Sequence, residues 1–219
     1  AVHPAHRVAD TLAATRAMTV LHATEAATVH LAVAARTDAV GPADVDRALY
    51  EDRCVLKQLA MRRTLFVLPR DLLPAALGSA SARVAVEQRR LIARDAVAHG
   101  AAADGEAWLR AATEAVLARL EVSGPLSARA LREELPELTG TFTVSPGKTY
   151  GGTSHIAPRV LTLLGAEGRI VRGPNAGHWR LSRPTWTLMW DWIGGPVSVL
   201  GSQEGYAELV RRWLRTFGP

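Results

Sequence analysis

The sequence predicts a mainly α-helical protein with small β elements. Three observations carry that expectation. Hydrophobic residues make up 48% of the 219-residue chain but aromatics only 5%. Ala, Leu and Val must therefore build the core, which suits close-packed helices better than a many-stranded sandwich. Apolar residues recur at helical spacing between recognisable caps and breakers. Only short apolar runs such as LFVLP read as strands. The length is a prior for one large domain or two small ones, with enough chain to bury a core without staples.

In the first half, His6 to Ala17 reads as a helix with Val8, Leu12 and Thr15 on one side. Thr24 is placed to cap a second helix, EAATVHLAVAAR. A third begins near Pro42 with Val45, Ala48 and Leu49 inward. Cys54 to Ala60 reads as a further helix, followed by a strand over Leu65–Leu68 that Pro69 closes. Leu72 to His99 is a long helical region, with a break expected at Gly78 and a stop at Gly100.

In the second half, Glu106 to Val122 is a strong amphipathic helix, and SGPL is a turn. Ser127 caps ARALREELPEL, and TGTFTVSPGKTYGGTSHI reads as a polar loop with strand pieces. Pro158 opens a helix that Gly168 stops. RIVRG and HWRLS then form a hairpin across PNAG. The order helix, turn, short helix, loop, helix, hairpin is that of a winged helix-turn-helix. In that reading the helix from Pro158 recognises DNA and Gly173–Gly177 is the wing tip. The first half reads as another such unit, so the expected fold is tandem winged helix-turn-helix units with small β-wings. The expected divisions are 1–100 for the first unit with its helical extension, 101–200 for the second, and 201–219 for the first helix of a third. That last segment, GYAELVRRWLRTFGP, is amphipathic through Leu209, Val210, Trp213 and Leu214. Either it packs back on the chain, or the C-terminal part of a longer protein is missing here; the second is the expectation.

The charge is +5 overall but uneven. Lys57 and Lys148 are two of the 26 basic residues, leaving 24 arginines. Between Arg53 and Arg94, nine basic residues face Asp71 and Glu87, a net of +7. Between Arg159 and Arg183, five arginines face Glu167, a net of +4. Clustered guanidinium on an otherwise acidic chain is the footprint of a polyanion-binding surface. Several classes are excluded. One cysteine, Cys54, rules out a disulfide framework or Cys-built zinc site within one chain and suits a reducing compartment. No apolar run is long enough to span a membrane, and AVHPAHRVAD does not read as a secretory leader. SPGKTYGG lacks the spacing of a phosphate-binding loop, and neither G-x-S-x-G nor H-E-x-x-H occurs.

The stretch DVDRALYEDRCVLKQLAMRRTLFVLPRDLL resembles the core signature of a large bacterial winged-helix DNA-binding family, which includes the AlkZ-like and YcaQ-like DNA glycosylases. PRVLTLLGAEGRIVRG, the Trp186, Trp190 and Trp192 segment, and AELVRRWLRTFGP are similar to it too, so the likeness runs from about Arg7 to Pro219. The resemblance implies tandem winged-helix units around a channel for duplex DNA, followed by a β-rich C-terminal domain. It implies hydrolysis of the N-glycosidic bond of bulky alkylated purines or crosslinks, without metal or other cofactor, in the cytoplasm at the nucleoid. The glycosylases carry a Gln-x-Gln or Gln-x-Asp motif after the first helix; His22 and Thr24 stand at the matching positions here. An imidazole can accept a proton from water, and the two side chains converge only if the segment is extended. His22 and Thr24 are thus the candidate catalytic pair. Lys57, Arg62, Arg63, Arg159, Arg169, Arg172, His178 and Arg180 are the candidate DNA contacts, while the three tryptophans read as packing. Double-stranded DNA is the expected partner. Two other functions stay open: a DNA-binding protein or regulator without chemistry, and a protein-interaction scaffold, which would be favoured if the arginines were spent on internal ion pairs.

Overall fold

The computed structural model describes residues 3–144 and 152–218. It is mainly helical, with three small antiparallel sheets. A short 3-10 turn precedes α1 (Thr11–Arg16), then come β1 (Leu21–His22), α2 (Ala26–Ala34), α3 (Pro42–Tyr50), β2 (Val55–Leu59) and β3 (Leu65–Pro69). α4 (Leu73–Ala76) runs through a π turn at Leu77–Ser81 into α5 (Ala82–Ala98). The second half holds α6 (Gly105–Ser123), β4 (Leu126–Ser127), α7 (Ala128–Glu134), β5 (Thr141–Val144), β6 (Gly152–His155), α8 (Ala157–Ala166), β7 (Ile170–Asn175) and β8 (Pro184–Leu188). α9 (Met189–Ile193) and α10 (Ser202–Phe217) complete it.

The two halves repeat one topology. Each runs helix, short strand, helix, helix, strand, strand, and each sheet is ordered first, third, second: β1-β3-β2 and β4-β8-β7. The second copy differs by the β5–β6 hairpin between α7 and α8. One continuous core nevertheless joins the halves, from Ala14 and Val29 through Ile92 and Leu109 to Leu163 and Trp186. A second cluster ties Leu56, Leu68 and Leu72 to Val171, Met189 and Trp192.

Local signals explain many boundaries. Asp10 caps α1 through Ala13 N, Asp104 caps α6 through Glu106 N and Ala107 N, and Ser127 Oγ accepts from Ala130 N to start α7. Gly168, in the left-handed region at φ 68°, follows α8. The break expected at Gly78 is the π turn; a Cβ there would lie 1.9 Å from the Leu200 carbonyl oxygen, so only glycine permits this approach.

Three expectations fail. Cys54 to Ala60 is not a helix. Its core, VLKQL, is good helix sequence, but all five residues of β2 pair with β3 and all five are buried, so tertiary pairing overrides propensity. Thr24 does not cap α2: the capping position is Glu25, which makes no side-chain bond there. HWRLS is not the second strand of the hairpin. The strand is Pro184–Leu188, the residues that pair with β7, and HWRLS lies in the loop between. Residues 145–151 of the expected polar loop lie outside the described residues; those on either side pair as β5 and β6.

α10 packs one face back on the chain. Gly205 is buried against α4 and the π turn, its Cα so close that a Cβ would lie 2.7 Å from the Ala75 carbonyl oxygen. Arg212 pairs with Asp71 at 2.7 Å. The opposite face, with Val210, Trp213, Leu214 and Phe217, is exposed.

Candidate nucleic-acid interface

The β2–β3 connection carries two adjacent exposed arginines. Arg62 and Arg63 are successive residues with positive φ, 55° and 59°, and Thr64 N donates to Met61 O at 3.0 Å. This is the type I′ geometry of a tight hairpin, which ordinarily selects Asn-Gly. Two arginines hold it instead, each at a steric cost of about 1 kcal/mol. Neither has an acidic partner among the described residues.

From this tip a groove follows α5. One cavity of about 490 Å³ lies between Met61, Arg62 and Arg63, the α5 residues Arg83, Glu87 and Gln88, and Tyr206 of α10. A second, of about 570 Å³, continues past Arg63 and Gln88 to Arg94, Asp95, His99, Phe142 and Arg159. Arg63 and Gln88 border both, so the two are one trough. From residue 83 to 99 it is roughly 24 Å long, or about seven base-pair steps. Its charge is partly neutralised. Arg94 and Arg159 both reach Asp95, at 2.7 and 2.8 Å, and Arg159 also lies over the Phe142 ring at 4.7 Å. Burial alone would raise the Asp95 carboxyl; hydrogen bonds and charge from the two arginines outweigh it and hold it below the usual carboxylate range. Arg83, like Arg62 and Arg63, meets no carboxylate among the described residues.

The other expected contacts scatter. Lys57 is buried and Arg172 is half-buried. Lys57 is 8% exposed, and its Nζ donates to the Tyr50 hydroxyl at 2.8 Å. Burial, reinforced by Arg172 and opposed by Asp46, lowers its ammonium to about 8. Burial first, then Asp46, raises the Tyr50 phenol, with Arg172 opposing. Arg172 stacks over Trp186 at 5.1 Å, and burial lowers it as well. Together with Thr162 and Trp186 they wall a void of about 10 Å³, room for one water. Arg169 is exposed in the connection between α8 and β7. His178 and Arg180 flank Trp179, whose ring lies 4.9 Å from that of His30. His30 is itself 3% exposed and bonded to Asp46 at 3.0 Å. The β7–β8 connection of the second half therefore meets α2 of the first through Trp179 and His30.

His22 and Thr24 do lie together. Leu21 and Ala23 are buried while His22 and Thr24 are exposed, the alternation of an extended segment, so both face one side. His22 pairs with Phe66, its ring edge-on at 6.0 Å, and Ala23 N donates to Leu65 O. That register sets Thr24 level with Thr64, beside the Arg62–Arg63 turn. Neither residue lines the two cavities of the trough; the pair stands on the neighbouring strand edge.

Sequence reasoning missed Arg83, Gln88 and Asp95. Their signal was available: positions 83, 87, 88, 91, 94, 95 and 99 follow helical spacing and share one face of α5. It also missed Trp179, for which no local pattern existed.

A family model described as DNA glycosylase AlkZ-like matches residues 15–219. The chain belongs to the AlkZ-like DNA glycosylase family. Within it, the solved structure of Streptomyces sahachiroi DNA glycosylase AlkZ is similar over 100% of this chain, at 20% identity and a TM-score of 0.62. The likeness covers 54% of that protein, so this chain spans about half its length. No curated relative matches. The AlkZ-like fold accounts for the mainly helical architecture and its small sheets.

Proposed function

We propose that this chain is the DNA-holding part of a base-excision protein, made of two tandem winged-helix units that bind duplex DNA along the α5 trough. The single observation that carries this is the trough itself: Arg62, Arg63 and Arg83 line it without acidic partners among the described residues, and membership of the AlkZ-like family supplies the substrate class. The repeated first-third-second sheet order supports the winged-helix reading, with β2–β3 and β7–β8 as wings. Divisions near residues 100 and 200 fit the repeat and the start of α10. Arg62 and Arg63 supply phosphate contacts from the first wing. Arg159 serves once a phosphate competes with Asp95, and Arg169, His178 and Arg180 offer a second contact area. Lys57 and Arg172 shape the interior between the units.

The chemistry proposed is hydrolysis of the N-glycosidic bond of a bulky alkylated base, in the bacterial cytoplasm. Water adds at the sugar C1′, the bond to the base breaks, and the already cationic purine leaves with the bonding electrons as a neutral base. His22 accepts the proton from water and Thr24 orients it, two groups on one extended face above the DNA-binding turn. The residues drive neither metal nor cofactor chemistry in this scheme.

Fluorescence anisotropy on duplex DNA tests the binding, and release of an alkylated base tests the chemistry. Affinity should fall steeply with salt, and the Arg63→Ala slope should be shallower by about 0.9. Salt-independent affinity would refute the trough. His22→Ala should abolish release while leaving affinity intact; equal release by both proteins would remove His22 from the reaction. A second reading, binding without excision, is favoured by the substitution of His22 and Thr24 for the amide and carboxylate side chains of the glycosylase motif, and is the outcome if the wild type binds but releases nothing.

A further inference from the structure

At the midpoint of the trough, where its two cavities meet, stands Gln88. It is 4% exposed, and its amide nitrogen has no hydrogen-bond partner among the described residues. A buried, unpaired amide is costly, and a packed interior would be firmer with an apolar residue there. It borders both cavities, so rotation about its terminal torsions brings the amide into the space it already lines. Around it the wall changes character. Arg63 and Arg83 are cationic, whereas Leu91, Phe142 and Tyr206 are apolar or aromatic.

We propose that Gln88 is a base-reading residue, taking the edge of an unpaired nucleobase held in the trough. The inference rests on the trough being a DNA site and adds what part of DNA its centre meets. An amide offers one donor side and one acceptor side without charge, which fits a base edge. It is poorly suited to a phosphate, for which the two flanking guanidinium groups are already present. The aromatic walls supply the faces on which an unstacked base rests. A duplex with a base out of its stack therefore fills this place better than a fully paired one.

The experiment compares the whole chain on two duplexes of one sequence, one fully paired and one carrying a single bulged adenine. The wild type should prefer the bulged duplex. Gln88→Met, which keeps length and removes the amide, should lose about tenfold of that preference, with an unchanged salt slope and a melting temperature no lower than wild type. Gln88→Glu, which keeps size and deletes the donor, should lose it as well and guards against repacking by methionine. Retention of the preference in both variants overturns the assignment, as does a wild type that binds both duplexes equally. In either case salt-dependent binding would leave the trough standing. Absence of DNA binding in the wild type would overturn the trough and this inference with it.

Discussion

Replacing Lys57 by methionine keeps an unbranched chain of similar reach and removes an ammonium that the fold holds almost wholly out of water. In the folded protein burial and the nearby Arg172 disfavour its charge and lower it from the ordinary 10.5 to about 8. A lowered basic pKa means that the unfolded chain binds more protons between those two values, so stability rises with pH across that window. Below about 8 the full penalty of burying the charge is present, on the order of 3 kcal/mol. Against it stands the hydrogen bond to the Tyr50 hydroxyl, worth about 1 kcal/mol. Lys57→Met should therefore be more stable than wild type by about 2 kcal/mol at pH 7. By pH 9.5 the penalty should have shrunk to roughly 1.5 kcal/mol, leaving the two proteins about equal. Urea unfolding at pH 7, 8, 9 and 9.5, read by tryptophan fluorescence, checks both statements. A variant less stable than wild type at pH 7, or a difference that does not narrow with pH, would refute the account of Lys57 as a strained internal cation.

Asp95→Asn removes the carboxylate shared by Arg94 and Arg159; DNA affinity should rise several-fold with a steeper salt slope, measured by anisotropy. Because Asp95 is held below the ordinary carboxylate range, its contribution to stability is present above the unfolded pKa near 3.8 and is lost as pH falls through the lower folded value, which acid unfolding of wild type and variant compares. Gly105→Ala should destabilise by about 1–3 kcal/mol by overpacking, since a Cβ would lie 1.9 Å from the Ala93 carbonyl oxygen where α6 meets α5; thermal unfolding reads it. Arg83→Ala should flatten the salt slope by about 0.9, as at Arg63, with little change in melting temperature.

Much of the helical plan was legible in the sequence because caps and breakers act locally. Ser127 and Gly168 mark helix ends by chemistry that needs no partner. The strand Leu65–Pro69 was legible as a short apolar run. β2 was not, because VLKQL becomes a strand only when β3 lies beside it. The trough divides the same way. The density of arginine from Arg53 to Arg94 was visible, but which of them face solvent was not. Arg89 and Arg90 are tied to Glu167 and Glu87, and Arg53 and Arg70 donate to the Trp192 and Ile193 carbonyls. Those pairings, several between residues far apart in the chain, spend about half of the cluster internally. Lys57 and the half-buried Arg172 illustrate the same limit: their charge was plain, and how far each is covered depends on how the two halves meet.

The turn at Arg62–Arg63 has a practical consequence. Swapping in Asn-Gly would relax both backbone positions and give a sturdier loop, yet it would remove two exposed positive charges. Conformational comfort and electrostatic reach are thus set against each other at two adjacent residues, and the chain has settled on reach.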